Sequence, residues 1–349
     1  MSRTVGDVLL VGSVPLASPD EVFRACADSL SGHLRLFPDG EVGPRRSWIQ
    51  CQAILVFDRH PSIQTIKRPI SPDGISSEYD DSWVFRLKPG IDSLRFDDLR
   101  YAGWAAESYE TFHGLREQGV IPREARFQVS LPTPLGGCAA FFDQPRDREI
   151  VYEAYERAML GQIREISQRI PHDDLAIQWD VCVEMLEVAA GLPNLLPGDP
   201  WRRAGIQFEH IAAGVPLGAM LGFHFCYGDL AHRHLVEPRD LSESVKMANL
   251  AVSSSKRRID WVHMPVPLSR ADDAYFAPLR ELSTGDSAVF LGLIHLHDGI
   301  EGALKRAEVA RRYFSRFGVA TECGLGRRPS ETLPELLRIH REVADRLTR

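Results

Sequence analysis

At 349 residues the chain is long enough to bury a full hydrophobic core, and its 44% hydrophobic and 26% charged residues describe a globular rather than a disordered protein. Lys and Arg number 41 against 48 Asp and Glu, a net charge of -7, which argues against a broad basic surface for nucleic acid. The six cysteines are too sparse and irregular for a disulfide framework, and the opening MSRTVGDVLLVGSVPLASPDE lacks the apolar core of a signal peptide or membrane span. The expectation is a reduced, cytoplasmic location with no membrane partner.

Short apolar runs alternate with longer amphipathic stretches along the chain. Strands are predicted at Asp7–Val14, His33–Phe37, Ala125–Leu131, Ala176–Cys182, Gly218–Cys226, Ile259–Pro265, Ala288–Leu296 and Gly318–Cys323. Helical patterns fall between them, among them Pro19–Ser31, Arg148–Arg169, Ser242–Ser254, Gly302–Phe317 and Pro334–Thr348. This alternation predicts an α/β fold with a parallel sheet, and about eight such units predict a single (β/α)8 TIM barrel over residues 1–349. A doubly wound open sheet is the alternative, but the first strand runs into LLVGSVPLASP without a glycine-rich phosphate turn.

One segment, 58–124, lies between the second and third predicted strands and is too long for a plain connection. It contains VFRLKPGIDSLRF, which reads as a hairpin around Pro89-Gly90, and then a helix near Tyr101–Gln118. It is expected to be an insertion covering one mouth of the barrel, with Trp83 and Trp104 in its own local core.

The sharpest chemical signal is Gly222-Phe-His-Phe-Cys-Tyr-Gly-Asp229. Side chains alternate along a strand, so His224 and Cys226 point the same way, at the C-terminal end where barrel active sites assemble. An imidazole beside a thiolate suits zinc. Cys323, in Thr-Glu-Cys-Gly-Leu-Gly, ends another strand at the same rim, and His2Cys or HisCys2 with an open position is how catalytic zinc is held. Cys26 and Cys51 sit on helical patterns and are assigned to packing.

Other polar residues end at the same rim: Asp39 and Glu41, then Gln178, Asp180, Cys182 and Glu184, then His263, then His295 and His297. A parallel sheet buried on both faces should read as continuous apolar runs, so this many polar strand ends point to a site.

In order along most of the chain, these residues resemble the catalytic C-terminal barrel of cobalamin-independent methionine synthase, within the uroporphyrinogen-decarboxylase/methionine-synthase-like group. Gly12-Ser13-Val14-Pro15 resembles the family's Gly-Ser-Phe-Pro, Asp39-Gly40-Glu41 its His-Gly-Glu, and Gln178-Trp179-Asp180 its Gln-Ile-Asp. His224-Phe-Cys226-Tyr-Gly-Asp229 resembles His-Met-Cys-Tyr-Ser-Asp with two zinc ligands, and Cys323-Gly324-Leu325 resembles the Cys-Gly-Leu that carries the third. The resemblance implies that Gly12, Ser13, Asp39, Glu41, Gln178 and Asp180 bind an amino-acid-like substrate. It implies that His297 acts as an acid and that Asp180 contacts the substrate amine, both counted as catalytic residues, with His295 the neighbouring candidate for the acid. His263 stands where the family has a glutamate ligand, so it is a fourth metal candidate, and Val181-Cys182 replaces the family's Glu-Pro.

The family's second barrel has no counterpart in this length. The implied function is therefore a zinc-dependent methyl or alkyl transfer to a thiol, from a different donor or to a different acceptor. The competing expectations are an acid–base decarboxylase or lyase on the same barrel, without catalytic zinc, and a non-enzymatic thiol- or metal-binding protein. The sequence leaves the oligomeric state open.

Overall fold

The computed structural model describes residues 7–76, 78–230 and 233–348. Nine strands are defined there: β1 (Leu36–Pro38), β2 (Ile63–Lys67), β3 (Val84–Leu87), β4 (Arg126–Pro132), β5 (Leu175–Val181), β6 (Met220–Phe225), β7 (Trp261–Pro265), β8 (Ala288–Ile294) and β9 (Gly318–Thr321). Seven of them form one parallel sheet in the order β1-β4-β5-β6-β7-β8-β9, while β2 and β3 pair antiparallel by themselves. Every residue of β5, β6 and β7 is buried, as expected of a parallel sheet covered on both faces.

Residues 7–14 were predicted as a strand and instead make isolated parallel bridges. Val8 bridges both Leu34 and Val319, and Ser13 bridges Gly40, so the segment touches both ends of the sheet. Its backbone is held on each side, with Leu9 N donating to Val319 O at 3.0 Å and Val14 N to Gly40 O at 2.9 Å. Inside the curl, Leu9, Leu36, Ala176, Met220, Trp261, Phe290 and Ala320 form an apolar cluster separate from the larger core. Each comes from a different stave, so the cluster tests the curvature directly: a flat sheet would not bring Leu9 and Ala320 onto the same centre as Ala176.

The helices start where local chemistry places them. Helix Pro19–Leu30 has Pro at its first position and Ser18 as its cap, whose Oγ accepts from Glu21 N at 3.3 Å. Its buried face, with Phe23, Cys26 and Leu30, packs toward helix Leu333–Leu347. Helix Gly299–Arg311 stops short of the predicted Phe317, because the chain must turn back into β9 at Gly318. Among the described residues no helix is long and apolar enough to cross a membrane.

The 58–124 segment divides into two parts. Its strands pair 63–67 with 84–87 rather than folding around Pro89-Gly90, because the alternating IQTIK run supplies a partner that the Asp- and Ser-containing IDSLRFDD does not. Trp83 stacks on Phe85 at 5.4 Å and donates to Gly74 O at 2.7 Å, while Trp104 is partly buried beneath the Arg45 guanidinium. Helix Tyr101–Glu117 sits in the outer helix layer, with Phe112 against Phe23 and Phe127. Tyr79 reaches the rim, its hydroxyl accepting from Leu230 N at 3.0 Å and donating to Arg233 O at 3.0 Å.

Candidate metal centre

The strand register aligns Asp180 of β5 with His224 of β6, and His224 with His263 of β7. Three polar side chains therefore share one row across the sheet. His224 and His263 are almost fully buried, and their Nδ1 atoms lie 2.6 Å apart. Burial pushes the His263 pKa down to about 3, and burial together with His263 pushes His224 well below its usual value. Both rings are therefore neutral, and one Nδ1–H donates to the other Nδ1. That bond occupies Nδ1 of His224 and leaves its Nε2 buried with no hydrogen-bond partner.

Two thiols complete the group. Cys226 follows β6 directly and is anchored by its N–H on Val181 O at 3.0 Å. Cys323 follows β9, and its Sγ lies 3.9 Å from Cys226 Sγ. One donor atom from each of His224, Cys226 and Cys323 lies within 4.8 Å of the others. Two thiolates on one tetrahedral zinc, with bonds of about 2.3 Å, sit about 3.8 Å apart. The observed sulfur separation and the unsatisfied imidazole nitrogen both fit such an ion. The thiol pKa values are raised, Cys226 first by its hydrogen bond with Cys182 and Cys323 first by its hydrogen bond with Cys226, so metal uptake must release protons.

Cys323 is positioned by the first segment of the chain. Leu325 N donates to Ser13 O at 2.7 Å, and Gly326 N donates to Ser13 Oγ at 3.1 Å. A Cβ on Gly324 would stand 2.2 Å from Ser13 Oγ, so any side chain there would displace the hydroxyl that accepts from Gly326 N. The Gly-Ser and Cys-Gly-Leu-Gly motifs, far apart in sequence, are thus two halves of one contact.

The metal group lines a cavity of about 50 Å³, shared with Gly12, Ser13, Glu41, Trp48, Asp180 and Arg327. Glu41 has a left-handed backbone, φ 49, and its Oε1 lies where a Gly12 Cβ would be, at 2.5 Å. Burial, opposed by Arg45 and reinforced by Asp39, pushes the Glu41 pKa up to about 7. Burial and the nearby Glu41 raise Asp180 well above its usual value. Ionisation of Glu41 therefore disfavours a second negative charge on Asp180.

The remaining predicted residues lie elsewhere. Gln178 is fully buried behind the cavity, donating to Asp180 Oδ1 at 2.9 Å and to Val11 O at 2.5 Å, so it positions Asp180. Asp39 is clasped by Arg45, with its carboxylate 2.7 Å from Nη2. His263 touches His224 but stands outside the His-Cys-Cys group. His295 is bonded through Nε2 to Val266 O at 2.9 Å, with Nδ1 3.5 Å from Glu322, and burial lowers its pKa to about 4. His297 is exposed on the turn after β8. Neither His295 nor His297 lines the metal cavity.

Sequence reasoning missed Trp48 and Arg327. Arg327 follows Cys-Gly-Leu-Gly directly and could have been read as part of that motif. It holds Asp229, with Nη2 3.1 Å from Oδ2. Trp48 carried no signal, since its place depends on a left-handed backbone, φ 51, within an irregular loop.

No protein-family model matches the chain, and no curated protein matches it in sequence. Solved structures do match. A B12-independent methionine synthase from Shewanella sp. W3-18-1, in complex with selenomethionine, has a TM-score of 0.62 at 14% identity, covering 99% of this chain and 98% of that one. A candidate vitamin-B12-independent methionine synthase from Listeria monocytogenes has a TM-score of 0.58 at 14% identity, with 99% and 98% covered. The chain shares their fold. At this identity the likeness extends over essentially the full length and concerns architecture.

Proposed function

We propose that the protein is a zinc-dependent methyl or alkyl transferase acting on a thiol substrate, built on a closed (β/α)8 barrel in which residues 7–14 are the first stave. The observation that carries the reading is the buried His224 Nε2 without a partner, beside two thiols 3.9 Å apart. His224, Cys226 and Cys323 would hold the ion, three protein donors that leave a position for substrate. An ion held by these three residues would supply the charge that lowers a substrate thiol's pKa and favours its thiolate.

The protein's own residues handle the rest of the substrate. Glu41 and Asp180, a buried pair short of one counter-charge, suit the ammonium group of an amino-acid-like thiol. The backbone at Gly12 and Ser13 borders the same cavity. Gln178 fixes the Asp180 carboxylate, and His263 fixes the His224 ring, as an outer partner does for a metal-bound imidazole. A cavity of about 50 Å³ suits the reacting head group rather than a whole co-substrate. Protonation of the departing donor falls to His297 or His295 on the resemblance of the sequence. The selenomethionine carried by the Shewanella protein supports an amino-acid-like ligand.

Metal analysis of the purified protein tests this. Stoichiometric zinc, lost in Cys226→Ser and Cys323→Ser but retained in Cys26→Ser, is the expected result. The coupled Glu41–Asp180 pair also suits acid–base chemistry of a lyase, and turnover that survives both chelation and the two cysteine substitutions would replace the transferase reading with that one.

A further inference from the structure

A second cavity, about 490 Å³, adjoins the metal cavity, and Arg327 lines both. Its wall also carries Arg46 and Arg328, with the hydroxyls of Ser47 and Ser76 and the amide of Gln50, and no carboxylate among its described lining residues. Arg46 and Arg328 form no ion pair with a carboxylate among the described residues. Asp73 feels the Arg46 charge, but its carboxylate is engaged in its own turn, accepting from Ser71 Oγ at 2.6 Å and Ile75 N at 3.0 Å. Arg328 feels Glu322, which makes its close contacts with His234 and His295 instead. The Nε of Arg328 is buried with no hydrogen-bond partner. Arg327 is paired with Asp229, Nη2 lying 3.1 Å from Oδ2, and its charge is also felt by Glu41 on the metal-cavity side, so the uncompensated charge of the cavity comes from Arg46 and Arg328.

Three guanidinium groups on one cavity, of which only Arg327 is paired with a carboxylate, leave an excess of positive charge and of N–H donors. Guanidinium forks match carboxylate or phosphate oxygens two at a time. One carboxylate carries one charge and two oxygens and would occupy one fork. A phosphate group carries up to two charges and three terminal oxygens, which is the acceptor count that three arginines ask for. The volume falls in the range of a small-molecule site, whereas the metal cavity accommodates only a reacting head group.

We propose that this cavity binds a phosphate group on the co-substrate of the transfer, with Arg46, Arg327 and Arg328 as its cradle. The assignment of that group to a co-substrate rests on the transferase reading above. The cradle itself rests on the arginines alone.

The test is calorimetric titration of the metal-free full-length protein with inorganic phosphate and, separately, with acetate, at low and moderate chloride. Phosphate should bind at least tenfold more tightly than acetate, and less tightly as chloride rises. Arg46→Gln and Arg328→Gln should each weaken phosphate about tenfold or more, while zinc uptake and near-UV circular dichroism stay as in the unaltered protein. Absence of phosphate binding, acetate binding as tight as phosphate, or phosphate binding unchanged in both variants would each overturn the proposal. The two readings fail separately: phosphate binding with no zinc uptake removes the transferase and keeps the cradle, while zinc uptake without phosphate binding does the reverse.

Discussion

Replacing Glu41 by Gln removes one member of the buried carboxyl pair while keeping its shape. The Glu41 pKa rises from 4.5 to about 7 on folding, chiefly through burial. The folded chain thus binds more protons than the unfolded chain between those values, and stability falls as pH rises across that window. At 1.36 kcal/mol per unit, the loss attributable to Glu41 is about 3 kcal/mol once the pH exceeds 7. The Gln variant has no such loss. It should be about equal to the natural protein, apart from a constant offset, near pH 4.5 and should gain on it progressively to pH 8. Relief of Asp180, whose pKa is raised partly by Glu41, acts in the same sense. The assay is urea unfolding of both proteins, stripped of metal, at several pH values, comparing the difference in free energy so that other titrating groups cancel. A difference that stays flat from pH 5 to 8, or that favours the natural protein more strongly as pH rises, refutes the assigned burial and pairing of Glu41.

Three further substitutions separate the parts of the centre. His263→Ala should weaken zinc by about 10–100-fold if His263 orients His224 from behind, with the stoichiometry preserved at saturating metal; loss of stoichiometric binding would instead make it a ligand. Gly324→Ala places a methyl 2.2 Å from Ser13 Oγ, which should cost about 1–3 kcal/mol in unfolding free energy and also lower zinc affinity by displacing Cys323; unchanged values for both would show that the contact is not tight. Trp261 fills the interior cluster, and Trp261→Ala should destabilise the fold by about 3–5 kcal/mol in urea titration, a loss that a loosely packed interior would not show.

The parts of the site that were legible in the sequence lie inside or immediately beside ladder-paired strands. Asp180, His224 and His263 belong to β5, β6 and β7, where side chains alternate strictly and register carries that alternation across the sheet. Cys226 is one residue past β6 but is still tied to Val181. The alternation argument weakens where the strands end. β8 stops at Ile294 and β1 at Pro38, so His295, His297, Asp39 and Glu41 lie beyond the ladders. Their directions are set by loop contacts: His295 turns to Val266, Asp39 to Arg45, His297 to solvent, and Glu41 into the cavity through a left-handed backbone.

The chain by itself therefore determined the strand–helix alternation, the parallel sheet and the pairing of His224 with Cys226, because those follow from periodicities of a few residues. Only the tertiary structure decided which of the many polar strand ends converge. It brings Cys323 to Cys226 across the sheet, sets Ser13 against Gly324, and joins Arg46 to Arg327 and Arg328 around one cavity. Ser13 with Gly324 and Arg46 with Arg327 span most of the chain length, Cys226 with Cys323 spans 97 positions, and no local pattern encodes these contacts, because they depend on the curvature that brings the two ends of the sheet to the same opening segment.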